Sequence, residues 1–157
     1  MKSRGSIVVI LALLGGLIFV NQLMAKEKAE EVALGVSSKW LSFVDNGDYS
    51  KSWERTAEIF RAMVTKGEWE TKLNTFRKPL GKVSERKVKS KQFTTTISNA
   101  PQGEYVILEY ETVFKNKQSV TETVTCVMGK DGKWKVGGYY ITFPGQESQP
   151  SAEKKKE

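Results

Sequence analysis

The sequence predicts an α+β domain: three N-terminal helices packed on a curved four-stranded antiparallel sheet, behind an N-terminal hydrophobic segment. Three observations predict it. Apolar residues recur every three or four positions from Ala29 to Phe76, the period of a helix face. Beyond Val83 the pattern becomes apolar–polar alternation, the period of a half-buried strand. Clusters of Gly, Pro, Asn, Asp and Lys then cut that half into four segments.

Ala29, Val32, Ala33, Val36, Trp40, Phe43 and Val44 form one stripe, so residues 26–45 read as the first helix. Asn46-Gly47 tolerates left-handed backbone and ends it. Asp48 is placed to cap a second helix carrying Tyr49, Trp53, Ala57, Phe60 and Val64. Thr65-Lys66-Gly67-Glu68 has the spacing of a capping box for a third, with Trp69, Leu73 and Phe76 on one side. Pro79-Leu80-Gly81 stops it. The strands are expected at 83–97, 105–114, 120–128 and 134–143.

The pairing register follows from burial. With Phe114 opposite Val120, Thr112 faces Glu122, Tyr110 faces Val124, Leu108 faces Cys126 and Val106 faces Met128. A one-residue slip would set Val124 and Cys126 against glutamates. The next hairpin sets Met128 against Trp134, Cys126 against Val136 and Glu122 against Tyr140. A bulge at Gly137-Gly138 would instead turn Tyr139, Ile141 and Phe143 inward.

Helices followed by a curved meander resemble the cystatin-like or NTF2-like fold. The chain also resembles domain-of-unknown-function family 4019, small exported bacterial proteins. The residues that carry this include Trp40-Leu41, Val44-Asp45-Asn46-Gly47-Asp48-Tyr49, Ser52-Trp53, Trp69, Arg77-Lys78-Pro79-Leu80-Gly81, Gly103-Glu104-Tyr105, Glu122-Thr123-Val124-Thr125 and Asp131-Gly132-Lys133-Trp134. The resemblance implies a bacterial source and one exported domain, and supplies no activity.

The N-terminus supports export independently. Lys2 and Arg4 precede an uncharged run from Ile7 to Val20, followed by Leu23 and Ala25 at the positions flanking a cut. That run rises only about 21 Å as a helix, short of a bilayer core of about 30 Å. Residues 1–25 therefore read as a signal peptide cut near Ala25, giving a periplasmic or secreted protein. An uncleaved inner-membrane anchor is the alternative. Residues 26–144 form the single domain, and 145–157 a disordered charged tail.

Composition excludes several chemistries. The chain of 157 residues has no histidine and one cysteine. Histidine triads, histidine-ligated zinc and intramolecular disulfides are ruled out. Cys126 lies in a strand pattern and reads as a small core residue. Phosphate-loop and dinucleotide fingerprints are absent, and neither metal nor cofactor is expected.

Glu122 is the most informative residue. On a covered face a carboxylate must be paired, hydrogen-bonded or neutral. The catalytic candidates are therefore Glu122 with Tyr140 or Tyr139, as in an acid–base isomerase or dehydratase. The alternative is that Glu122 pairs with Arg77 or a lysine and fixes the fold. Thr112, Tyr110, Trp53, Trp69 and Trp134 are candidate ligand contacts, or core. Asp45 and Asp48 flank the first turn, as a cation contact or as helix-end residues. Arg77, Lys78, Lys82, Arg86, Lys87, Lys89 and Lys91 form a basic patch suited to an anionic membrane surface or an acidic protein, or simply a guarded edge strand. Nucleic acid is a poor partner for an exported protein. Three functions are open: a non-enzymatic module binding an envelope ligand or protein, the acid–base enzyme, and an assembly protein docking through the basic edge.

Overall fold

The computed structural model describes residues 5–116 and 119–145, with the side chains of residues 5–21 outside that description. Residues 1–4 of the leader and nearly all of the tail therefore fall outside the described residues, while the backbone of residues 5–25 continues the first helix, whose start was expected at Lys26. The order is α1 (Gly5–Asp45), α2 (Tyr49–Glu54), α3 (Glu58–Met63), α4 (Lys66–Lys72), a π-helical turn (Leu73–Arg77), a 3-10 turn (Lys78–Leu80), and strands β1 (Val83–Thr94), β2 (Tyr105–Phe114), β3 (Ser119–Met128) and β4 (Trp134–Thr142). The strands form an antiparallel meander in the order β1-β2-β3-β4. The class is α+β, as the sequence predicts.

The helical half is more broken than expected. Gly47, at φ 79°, ends α1. The Gly47 N–H donates to Val44 O and the Asp48 N–H to Phe43 O, the paired bonds of a Schellman cap. The expected Asp48 cap does not form, since its side chain accepts no capping bond. The expected second helix is two helices, because Thr56 leaves the helical path to bridge Val136 and the Ala57 N–H donates to Val136 O at 2.8 Å. The Ala57 N–H thus bonds a carbonyl of β4 in place of one in its own helix. The capping box forms as predicted: Glu68 N–H donates to Thr65 Oγ1 and Thr65 N–H to Glu68 Oε2. The third helix then widens to a π turn. Leu73 and Arg77 stay buried, while Phe76, expected inward, is 66% exposed.

In the sheet, the predicted faces hold but one register moves by two. Thr112 faces Val120, Tyr110 faces Glu122, Leu108 faces Val124 and Val106 faces Cys126. An even shift keeps every side chain on its face, so burial alone does not distinguish it. Phe114 leaves the hairpin to pair with Val83 and pack on Leu80 and Val120. Met128–Trp134 and Cys126–Val136 pair as predicted. A bulge then follows, since Thr125 pairs with Gly138 and Gly137 is extra. A Cβ at Gly137 would lie 3.0 Å from Val127 Cγ1, so glycine suits the position. Glu122 consequently faces Ile141, Tyr139 is buried and Tyr140 is 69% exposed. The Tyr140 expectation is corrected, and the bulge alternative is the one realised.

The helices cover one sheet face over a core containing Trp40, Leu41, Trp69, Leu108, Val124 and Val136. Cys126 lies in this core, where burial pushes its thiol up to about 12. The aromatic centre hangs on Ser52, which is fully buried. Trp40 Nε1 donates to Ser52 O at 2.8 Å and Trp69 Nε1 to Ser52 Oγ at 2.9 Å, while Ser52 Oγ donates to Tyr49 O. Ser52→Ala strands the Trp69 indole N–H in a dry site. It should lower stability by about 1–3 kcal/mol, read as a shifted urea midpoint at unchanged slope.

Candidate functional site

Glu122 is fully buried at the middle of β3. Its two oxygens are taken. Tyr139 OH donates to Oε1 at 2.5 Å, and Thr112 Oγ1 and Arg86 Nε donate to Oε2 at 2.6 and 2.7 Å. Each neighbour arrives from a different strand. Thr112 comes from β2, Arg86 from edge strand β1, and Tyr139 from β4 through the Gly137 bulge.

The network continues outward. Arg86 grips Asp45 with Nη1 at 2.7 Å and Nη2 at 3.0 Å, a bidentate pair with the last residue of α1. Arg77 Nη2 donates to the same carboxylate at 2.9 Å, and its Nη1 to Gly81 O at 2.8 Å. The Arg77 guanidinium also lies over the Phe114 ring, 4.4 Å from its centroid.

The electrostatics follow from this geometry. Burial opposes ionisation of Asp45, but the Arg86 and Arg77 guanidiniums outweigh it and hold its carboxyl below the usual range. Burial likewise opposes the Arg86 charge, and Asp45 and Glu122 reverse that and raise its pKa. Burial first, then the neighbouring Glu122, push the Tyr139 phenol well above its ordinary value, so it remains a protonated donor. Both oxygens of the Glu122 carboxyl are thus occupied by the protein's own donors, out of contact with solvent.

The family's sequence profile, "Protein of unknown function (DUF4019)", matches residues 36–139. The chain belongs to that family. The DUF4019 match contains Asp45, Arg77, Arg86, Thr112, Glu122 and Tyr139, the whole of the network. No curated protein is similar enough to the chain to match it.

Other predicted residues scatter. Glu122 was expected to pair with Arg77 or a lysine, or with Tyr140; its ion pair is with Arg86. Tyr110 OH donates to buried Ser37 Oγ, within the core of the DUF4019 domain. Trp53 is half-buried, its indole donating to Val64 O. Trp134 is a core residue that also lines a small groove with Val36 and Phe43. Trp69 reaches a larger apolar cleft.

The basic patch is smaller than the sequence suggests. Arg77 is 2% exposed and Arg86 is drawn into the network. Lys87 pairs with Glu85, Lys89 with Glu109 and Lys91 with Glu31. Lys78 and Lys82 line a polar groove of about 690 Å³ that also holds Asp45, Asp48 and Glu70. Asp45 carries more of the network than its place in the sequence suggests, because a helix-end aspartate next to Asn-Gly looks like local capping. Among the described residues no cluster of His, Cys, Asp and Glu is placed to hold a metal ion.

Two predictions test the network. Arg86→Leu alone leaves Glu122 buried without its cation and should cost about 3–5 kcal/mol. The Arg86→Leu/Glu122→Leu double variant should cost clearly less than the sum of the two single changes, measured as a double-mutant cycle in urea. Asp45 predicts the acid limb. Its folded pKa is lowered, so its contribution is fully present above its unfolded pKa of about 3.9 and is lost as pH falls through the folded value. Asp45→Asn should therefore lower stability at neutral pH and flatten the loss below about pH 4 in urea midpoints taken across that range.

Proposed function

We propose that this chain is an exported, non-catalytic binding module of the bacterial cell envelope, built on a cystatin-like or NTF2-like arrangement of helices against a sheet. The observation that carries the reading is the sealing of Glu122, the strongest acid–base candidate, by Tyr139, Thr112 and Arg86. The isomerase or dehydratase alternative needs a pocket that reaches this carboxyl, and the site is filled by the protein's own donors. Docking through a basic edge is also disfavoured, since Arg77 and Arg86 serve the interior and Lys87, Lys89 and Lys91 already have acidic partners. Binding then falls to the surface clefts around the helical layer.

Export rests on the cationic start, the short apolar run and the small residues up to Ala25. In a bacterial host the full chain should appear in the envelope fraction with an intact mass beginning at Lys26. A product confined to the cytosol with Met1 retained would sink the export reading. Native mass spectrometry of the recovered protein should show a retained ligand. A small-molecule turnover that disappears with Glu122→Gln would sink the non-catalytic one.

A further inference from the structure

A cleft of about 630 Å³ lies where α3, α4 and the π turn meet β4. Its lining includes Phe60, Trp69, Leu73, Tyr139, Ile141 and Phe143. That volume is in the range of about 300–1,000 Å³ typical of small-ligand sites. Around it stand Met63, Phe76 and Tyr140, 68%, 66% and 69% exposed. Three large apolar side chains so exposed, gathered at one opening, mark a contact surface rather than scattered surface residues.

Two local irregularities build this opening. The π turn sends Phe76 outward while keeping Arg77 inside, and such turns recur at functional sites. The Gly137 bulge brings Tyr139 to the cleft wall and Tyr140 to its rim.

Charge selects the ligand. Lys72 and Arg77 line the cleft, and no Asp or Glu does. Among the described residues Lys72 makes no ion pair. Arg77 engages Gly81 and Asp45 through its two Nη atoms, and neither of those residues lines the cleft. Arg77 Nε is the one buried side-chain polar atom among the described residues without a partner. An apolar trough lined by Lys72 and Arg77, with no acid in its own lining, is complementary to an amphiphilic anion. The polar groove beside Asn46-Gly47 carries both signs of charge and lacks that selectivity.

Resting on the binding-module reading, we propose that the cleft between the π turn and β4 binds an amphiphilic anion, with its acyl or aromatic body against Trp69, Phe76 and Tyr139 and its carboxylate or phosphate head at Lys72.

Dodecanoate, kept monomeric, tests this through tryptophan emission, since Trp69 lines the cleft. Saturable one-to-one binding is expected. Lys72→Glu should weaken it about three- to fivefold while leaving dodecanol unchanged. Phe76→Asp should weaken both ligands by about tenfold or more. Both substituted side chains are exposed, so thermal unfolding should confirm an intact fold. Dodecyltrimethylammonium should bind more weakly than dodecanoate. Co-sedimentation with phosphatidylglycerol vesicles, lost in Phe76→Asp, would assign the head to a bilayer lipid; its absence would assign it to a free amphiphile. The proposal is overturned by non-saturable binding, by equal binding of the cationic analogue, or by indifference to both variants. It is also overturned if light scattering shows a dimer that Phe76→Asp dissolves, since a second copy then fills the cleft. If dodecanoate fails while the protein recovered from its host retains a different ligand, this inference falls and the binding-module reading stands.

Discussion

The buried carboxyl of Glu122 organises this domain. It sits on an inner strand, and its partners come from both neighbouring strands and from the β1 edge. Through Arg86 it reaches Asp45, and through Asp45 it reaches Arg77. One polar chain thus ties all four strands to the end of α1 and to the π turn. Apolar packing is non-directional and would accept many placements of the helices on the sheet. A bidentate guanidinium–carboxylate pair accepts few. The cost of burying such groups is high when any partner is missing, which makes alternative helix placements costly.

The second constraint is the extra residue at Gly137. Without it, alternation would continue from Val136 and place Tyr140 beside Glu122, leaving Tyr139 outside. With it, Tyr139 reaches the carboxyl and joins an aromatic group in which Trp40 lies 5.4 Å and Trp69 6.2 Å from its ring centroid. The same bulge sends Tyr140 to the surface. A single backbone irregularity therefore completes the interior network and shapes the cleft at the β4 edge.

Much of this was legible in the sequence because burial leaves a period. The sheet faces, the Thr65–Glu68 capping box, the Asn46-Gly47 stop and the place of Cys126 in the core all follow from local pattern. The parts that were not legible depend on contacts distant in sequence. Thr56 breaks a helix because Val136 lies within reach. The β2–β3 register differs by two from the expected one, with Phe114 packed on Leu80 and Val120, and an even shift leaves the burial pattern unchanged. Arg77 and Arg86 looked like surface cations in a lysine-rich stretch. Their partner Asp45 lies 32 and 41 residues away, and no local signal joins them.

The two arginines explain why interior and surface must be considered together. In solvent they would strengthen a basic face suited to acidic partners. Turned inward, they consume the charge of Asp45 and the acceptor capacity of Glu122, and the remaining β1 lysines are met by Glu85, Glu109 and Glu31. Among the described residues the buried Arg77 Nε–H has no hydrogen-bond partner, and Arg77 and Lys72 both line the apolar cleft between the π turn and β4. The proposed ligand, an apolar body bearing a negative head, matches the aromatic lining and the two cations at that opening.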